Sequence, residues 1–232
     1  MLFLLSLVAL LGCSTGPDVF MANHGSHNSQ PAGYWRDGNR DLMATERLSP
    51  VNYANVMNLL ESSDPMLALY REDITHDTVK EFFIRLTGSE ETALPALYHA
   101  EKRNLSPAVV FSLVWVESRF DPHAINRNAT SIDRGLFQLN SLSFPKLSLE
   151  DFFDPEISAR HGTEYLSYAF GRTGDARMAV AIYNAGPSRV LAGQTPASTL
   201  VYVNRIMEYR DALNWEFRRF IKARYPAPAI PL

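Results

Sequence analysis

The chain has 232 residues, 46% of them hydrophobic and 20% charged, with a net charge of −3 and a pI near 6.1. That describes an ordinary globular domain with an extension, and it offers no electrostatic case for a nucleic-acid partner. One cysteine excludes an internal disulfide. The only modest basic cluster, Arg218, Arg219, Lys222 and Arg224, reads as the solvated last turns of a helix.

Residues 1–12, MLFLLSLVALLG, are almost wholly apolar. They fall short of the roughly 20 residues that span a bilayer, but fit the core of a signal peptide. They end at Cys13, and LLGCS resembles a bacterial lipoprotein signal. The resemblance implies cleavage before Cys13 and acylation of its thiol, hence stable membrane attachment. Two departures leave an uncleaved anchor or an ordinary secretory signal as alternatives: no Lys or Arg follows Met1, and Leu11 stands where a smaller residue is commoner. Ser14, in place of an Asp, points to the outer membrane, facing the periplasm. Residues 13–48 are punctuated by Gly, Ser, Asn, Asp and Pro and read as a lipidated tether. His24 and His27 within it are a weak metal signal, and the bland reading is preferred.

Ser49-Pro50 opens a helix through VNYANVMNLLESS, and Asp64-Pro65 opens a short one through MLALYRED. His76 to Leu86 and Glu90 to Arg103 give two more helical patterns, with Asn104 in the last turn of the second. Residues 49–89 are thus a helical extension packed on the domain that follows, residues 90–225.

Leu105 to Phe120, LSPAVVFSLVWVESRF, is the stretch that the rest is arranged around. Ser106 and Pro107 read as a cap and first turn. From Ala108 to Val116 only Ser112 breaks an apolar run, and a helix apolar all round is buried. Glu117 therefore sits at the C-terminal end of a buried helix. Apolar surroundings and the partial negative charge of the helix end both disfavour its ionised form. The expectation is a carboxyl of raised pKa suited to donating a proton near neutral pH. The alternative is an ion pair with Arg119 or another Arg.

Residues 121–148 are rich in turn formers and read as a loop or short extended segment at a cleft, followed by a turn of helix. Asp154-Pro155-Glu156 starts a helix to about Gly171. Gly174-Asp175 starts ARMAVAIYNAG, which Gly186 and Pro187 stop. The last helix covers about Thr199 to Ala223, and residues 226–232 form a proline-broken tail. The fold class is mainly α.

In order along the chain come ESRFDPHA at 117–124, GLFQLN at 135–140, FDPEISARHGTEYL at 153–166, AIYNAGPSRV at 181–190 and YVNRIMEYR at 202–210. Together they resemble the soluble-lytic-transglycosylase (SLT) domain of bacteria, related to goose-type lysozyme. The resemblance covers roughly residues 90 to 215 and implies a lysozyme-like helical domain. It also implies cleavage of the β-1,4 bond between N-acetylmuramic acid and N-acetylglucosamine in peptidoglycan, with closure of a 1,6-anhydro ring. One glutamate, aligned with Glu117, serves as acid and then base, where many glycosidases use two carboxylates. The partner is the glycan strand; no metal or organic cofactor is implied, and protein partners stay open.

The resemblance also assigns site residues. Ser118 hydrogen-bonds within the site or only within its helix. Gln138 suits sugar hydroxyls and acetamido groups. Phe137 lines a sugar subsite or packs in the core, and Asn140 replaces a frequent Met. Tyr183 is expected to hydrogen-bond the Glu117 carboxyl, with Asn184 holding a loop or substrate, and Tyr202 is a second cleft tyrosine. Phe120 and Pro122 fix the helix exit. Asp133 either takes a direct part, as a muramidase base, or caps a turn or pairs with Arg134. Asp121 is turned outward, and Asp154 and Asp175 are helix caps. A hydrolytic muramidase and an inactive glycan-binding lipoprotein are the competing functions.

Overall fold

The computed structural model describes residues 45–229, so the signal segment, Cys13, His24 and His27 lie outside the described residues. Helix starts follow the side-chain caps. Ser49 accepts from the Asn52 N–H at 3.2 Å ahead of α1 (Pro50–Leu60), and Asp64 from the Leu67 N–H at 3.2 Å ahead of α2 (Pro65–Tyr70). The next helix, α3 (His76–Thr87), stops at Gly88, whose φ of 73° is left-handed. Ser89 caps α4 (Glu90–Lys102), and Pro107 occupies the first turn of α5 (Pro107–Ser118). Ser148 and Asp151 form a reciprocal capping box on α6 (Leu149–Phe153). Asp154 and Asp175 cap α7 (Pro155–Thr173) and α8 (Ala176–Ala185), as expected. Two short connections later come α9 (Pro187–Leu191) and α10 (Ala197–Arg224).

Three local expectations need correcting. Ser106 holds the N-cap position of α5 but makes no capping bond; its hydroxyl goes to Asp64, whose carboxyl burial pushes above its ordinary pKa. Pro187 stops α8 but also starts α9, because its fixed φ suits a first turn. Of the two readings of residues 125–140, the extended one holds, and as three strands rather than a single segment: β1 (Ile125–Arg127), β2 (Ile132–Arg134) and β3 (Leu139–Asn140) pair antiparallel in that order. Strands this short leave no periodic signal in sequence.

Buried α5 is the axis. α10 runs along it, α4 and α2 also touch it, and α7 packs between α4 and α8. Its residues from Pro107 to Val114 are all buried. The helices before residue 90 share this core: Phe83 stacks on Phe111 at 4.1 Å, and Phe82 meets Phe217 and Phe220 edge-on at 5.0 and 5.2 Å. Truncating Phe111 to Ala would cost about 3–5 kcal/mol. A clasp of His99 to Glu156 at 2.6 Å ties α4 to the start of α7.

Candidate active site

A rigid, apolar helix can hold one polar group at its open end with little freedom, and α5 does this for Glu117. The helix closes with Arg119 at φ 57° and Phe120 at φ 66°, both left-handed. Such φ values in non-glycine residues, one of them a bulky and buried aromatic, are strained by about 1–3 kcal/mol each. They turn the chain sharply into the sheet and leave Glu117 half-buried at the end of the helix. Arg119 makes no ion pair with it; its guanidinium lies over the Trp115 ring at 4.4 Å.

Glu117 is paired instead with Tyr202, whose hydroxyl donates to Oε1 at 2.5 Å. Burial pushes the carboxyl pKa from 4.5 up to about 8; the Tyr202 bond pulls it down and the negative charge of Asp133 pushes it further up. The carboxyl is thus mostly protonated at neutral pH, with a hydrogen bond in place for the carboxylate left after proton donation. The Tyr202 phenol is itself held well above its ordinary pKa, first by burial and then by the Glu117 charge. It stays a donor.

Tyr183 is near Glu117, since the glutamate charge adds to burial in raising its pKa. Its hydroxyl, however, donates to the Phe137 carbonyl at 2.9 Å. The expected roles of the two tyrosines are therefore exchanged. Asn184 accepts from the Thr199 hydroxyl at 2.7 Å, joining α8 to α10, so it holds the scaffold.

The sheet supplies the other wall. Its register sets Asp133 opposite Asn126 on one side and Asn140 on the other. Asn140 donates to Oδ1 of Asp133 at 2.6 Å and Asn128 to Oδ2 at 2.7 Å. Both oxygens thus accept from side-chain amides. Asp133 does not pair with Arg134, whose guanidinium lies 5.3 Å from the Phe152 ring. Asn140 also donates to Ser131 and accepts from the Leu142 N–H, so it builds the wall. Asn128 was missed in the sequence because NRNATS reads only as turn formers.

Gln138 has φ 49°, and its amide donates to the carbonyls of Ala124 at 3.1 Å and Gly135 at 2.9 Å. Those donors brace the loop instead of reaching for a sugar. Phe137 is fully buried and belongs to the core: an added Cβ on Gly162 of α7 would stand 2.2 Å from its ring. Ser118 bonds within its helix, to the Val114 carbonyl at 3.1 Å. Asp121 accepts from the His123 N–H and is exposed, and Phe120 packs near Trp115. Among the sequence-nominated residues, the structure brings Tyr202, Tyr183 and Asp133 to Glu117 and places Phe137, Gln138, Asn140 and Asn184 in support.

Among the described residues there is no group of three or more His, Cys, Asp or Glu placed to hold a metal ion. A separate cavity of about 650 Å³ lies at the opposite end of α5, lined by Asp64, Arg103, Ser106, Val109, Phe170 and Arg210. Its charged groups have partners within the protein: Arg103 bonds His99, Arg210 bonds Asp211, and Asp64 accepts from Leu67.

Residues 95–199 match the family described as the transglycosylase SLT domain, a span that includes Glu117, Asp133 and Tyr183. Among solved structures, the chain is similar to an inactive mutant of lytic transglycosylase Slt from Pseudomonas aeruginosa. The identity is 21% and the TM-score 0.45, over 71% of this chain and 32% of that one. The chain thus matches about a third of the length of that structure.

Proposed function

We propose that the protein is a peptidoglycan lytic transglycosylase with Glu117 as its acid and base, a reading supported by the match of residues 95–199 to the transglycosylase SLT domain family. The observation that carries this reading is the Glu117 carboxyl at the end of α5, raised by burial to about pKa 8 and bonded to Tyr202. Protonated at neutral pH, it gives its proton to the glycosidic oxygen between N-acetylmuramic acid and N-acetylglucosamine, and the C1–O bond breaks. The resulting carboxylate, held by the Tyr202 hydroxyl, takes the proton of the C6 hydroxyl. The C6 oxygen attacks C1 and closes the 1,6-anhydro ring, returning Glu117 to its starting state. No water is consumed, and the nucleophile is already tethered to the reacting sugar.

A hydrolytic muramidase would need a base to activate water. Asp133, whose charge acts on Glu117, is the candidate, but both its oxygens are engaged by Asn128 and Asn140, which favours the ring-closing route. Its fixed negative charge suits stabilising positive charge at C1 instead. Attachment through an acylated Cys13 to the outer membrane, with the domain facing the periplasm, follows from the LLGCS pattern and belongs to the same proposal. Digestion of purified sacculi, with mass spectrometry of the muropeptides, tests the reaction. Anhydro ends, lighter by one water than reducing ends, are expected; reducing ends alone would make the protein a muramidase.

A further inference from the structure

A file of tyrosines leaves the site along α7. Tyr183, beside Glu117, has its ring centroid 5.4 Å from that of Tyr165, and Tyr165 lies 6.0 Å from Tyr168 with the two rings within 17° of parallel. The inner members are fixed by their hydroxyls: Tyr183 donates to the Phe137 carbonyl, and Tyr165 to the Ile182 carbonyl at 3.3 Å. The outer member is not buried, since Tyr168 is 49% exposed. Gly171, one turn further along α7, would have nothing within 4 Å of an added Cβ, so the helix surface beside Tyr168 is open. The file thus runs from the Glu117 carboxyl, past two half-buried tyrosines, to an exposed ring nearly parallel with its neighbour.

We propose that Tyr165 and Tyr168 form a stacking platform that holds a pyranose ring of the glycan strand at a distance from the bond being cleaved, with Tyr168 as the outermost contact. This rests on the peptidoglycan reading of Glu117. A pyranose presents flat faces of C–H groups that pack on an aromatic face through dispersion and burial, without any charge. A tyrosine adds a hydroxyl at the ring edge for a sugar hydroxyl or acetamido group. Tyr165 contributes rigidity, because a ring tied to the α8 backbone fixes the surface on which Tyr168 rests. Binding energy from a remote sugar positions the reacting one, so Tyr168 is a positioning residue and not a catalytic one.

The test measures binding of uncrosslinked, peptide-free glycan strands to full-length Glu117→Gln protein, with and without Tyr168→Ala, and KM and kcat on the same strands in the Glu117 background. Losing one aromatic face is expected to weaken binding about five- to tenfold. KM should rise by a similar factor while kcat changes less, and Tyr168→Phe and Tyr168→Trp should restore most of the affinity. Unchanged binding and KM in Tyr168→Ala, in a protein that does cleave glycan, overturns the platform alone. A wild-type protein that leaves sacculi intact overturns the Glu117 reading and the platform with it.

Discussion

Tyr202 and Glu117, 85 residues apart, meet across 2.5 Å, and that bond opposes the burial that keeps the Glu117 carboxyl protonated. It favours the ionised form, whereas burial and Asp133 act the other way. The balance decides the pH at which the acid can still donate.

Tyr202→Phe should remove that support. The Glu117 pKa rises above about 8 and the alkaline limb of the pH–rate profile moves to higher pH. Losing a hydrogen bond to a charged group costs about 1.5–3 kcal/mol, so kcat should fall roughly 10- to 100-fold as the carboxylate formed during turnover loses its partner. An unmoved alkaline limb would argue against the bond.

Asp133→Asn should act in the opposite direction. With the negative charge gone, the Glu117 pKa falls and the alkaline limb moves to lower pH. The new amide also faces the Asn128 and Asn140 donors, so a thermal or urea melt should show a loss of about 1–3 kcal/mol. An unmoved limb would mean that the Asp133 charge does not reach Glu117.

Glu117→Gln should abolish cleavage of sacculi, by at least about 100-fold given what a general acid contributes. It should also change how stability depends on pH. The native pKa, about 8, lies above the ordinary 4.5, so the folded state binds the proton more tightly than the unfolded state does. Wild-type stability is therefore undiminished below pH 4.5 and is lost as pH rises toward 8. The glutamine variant lacks this loss, so its advantage over wild type should grow between pH 4.5 and 8 and then level off. Its ceiling is about 4 kcal/mol, at roughly 1.4 kcal/mol per pKa unit with some hydration kept at the open side. Parallel melting curves for the two proteins across that range would contradict the raised pKa.

Gly162→Ala should disrupt the seat of Phe137, because the new methyl would stand 2.2 Å from its ring and α7 cannot retreat from its neighbours. Overpacking of this kind costs about 1–3 kcal/mol. The displaced Phe137 carbonyl would also lose the Tyr183 hydroxyl, so activity should fall together with melting temperature. A variant as stable as wild type would show that the loop can shift freely.

What could be read without coordinates was what depends on neighbours in sequence. Ser49, Asp64, Asp154 and Asp175 cap helices because the caps act across three residues. The apolar run from Ala108 to Val116, broken only by Ser112, marked α5 as buried, and with it the placing of Glu117 at the end of that helix. The sheet was legible only as an irregular stretch, since two- and three-residue strands are held by cross-strand pairing with no pattern of their own.

The amino-acid sequence by itself determined a mainly α protein with one carboxyl group forced into apolar company, because helix periodicity and capping are local. Only the tertiary structure decided which tyrosine serves that carboxyl. Tyr183 and Tyr202 are on different helices, and the packing of α8 and α10 aims one phenol at the Phe137 carbonyl and the other at Glu117. The same holds for Asp133, whose amide partners come from the neighbouring β3 strand and the β1–β2 connection. Contacts between residues far apart in the chain are set by how whole elements pack, and no short stretch of sequence carries that information.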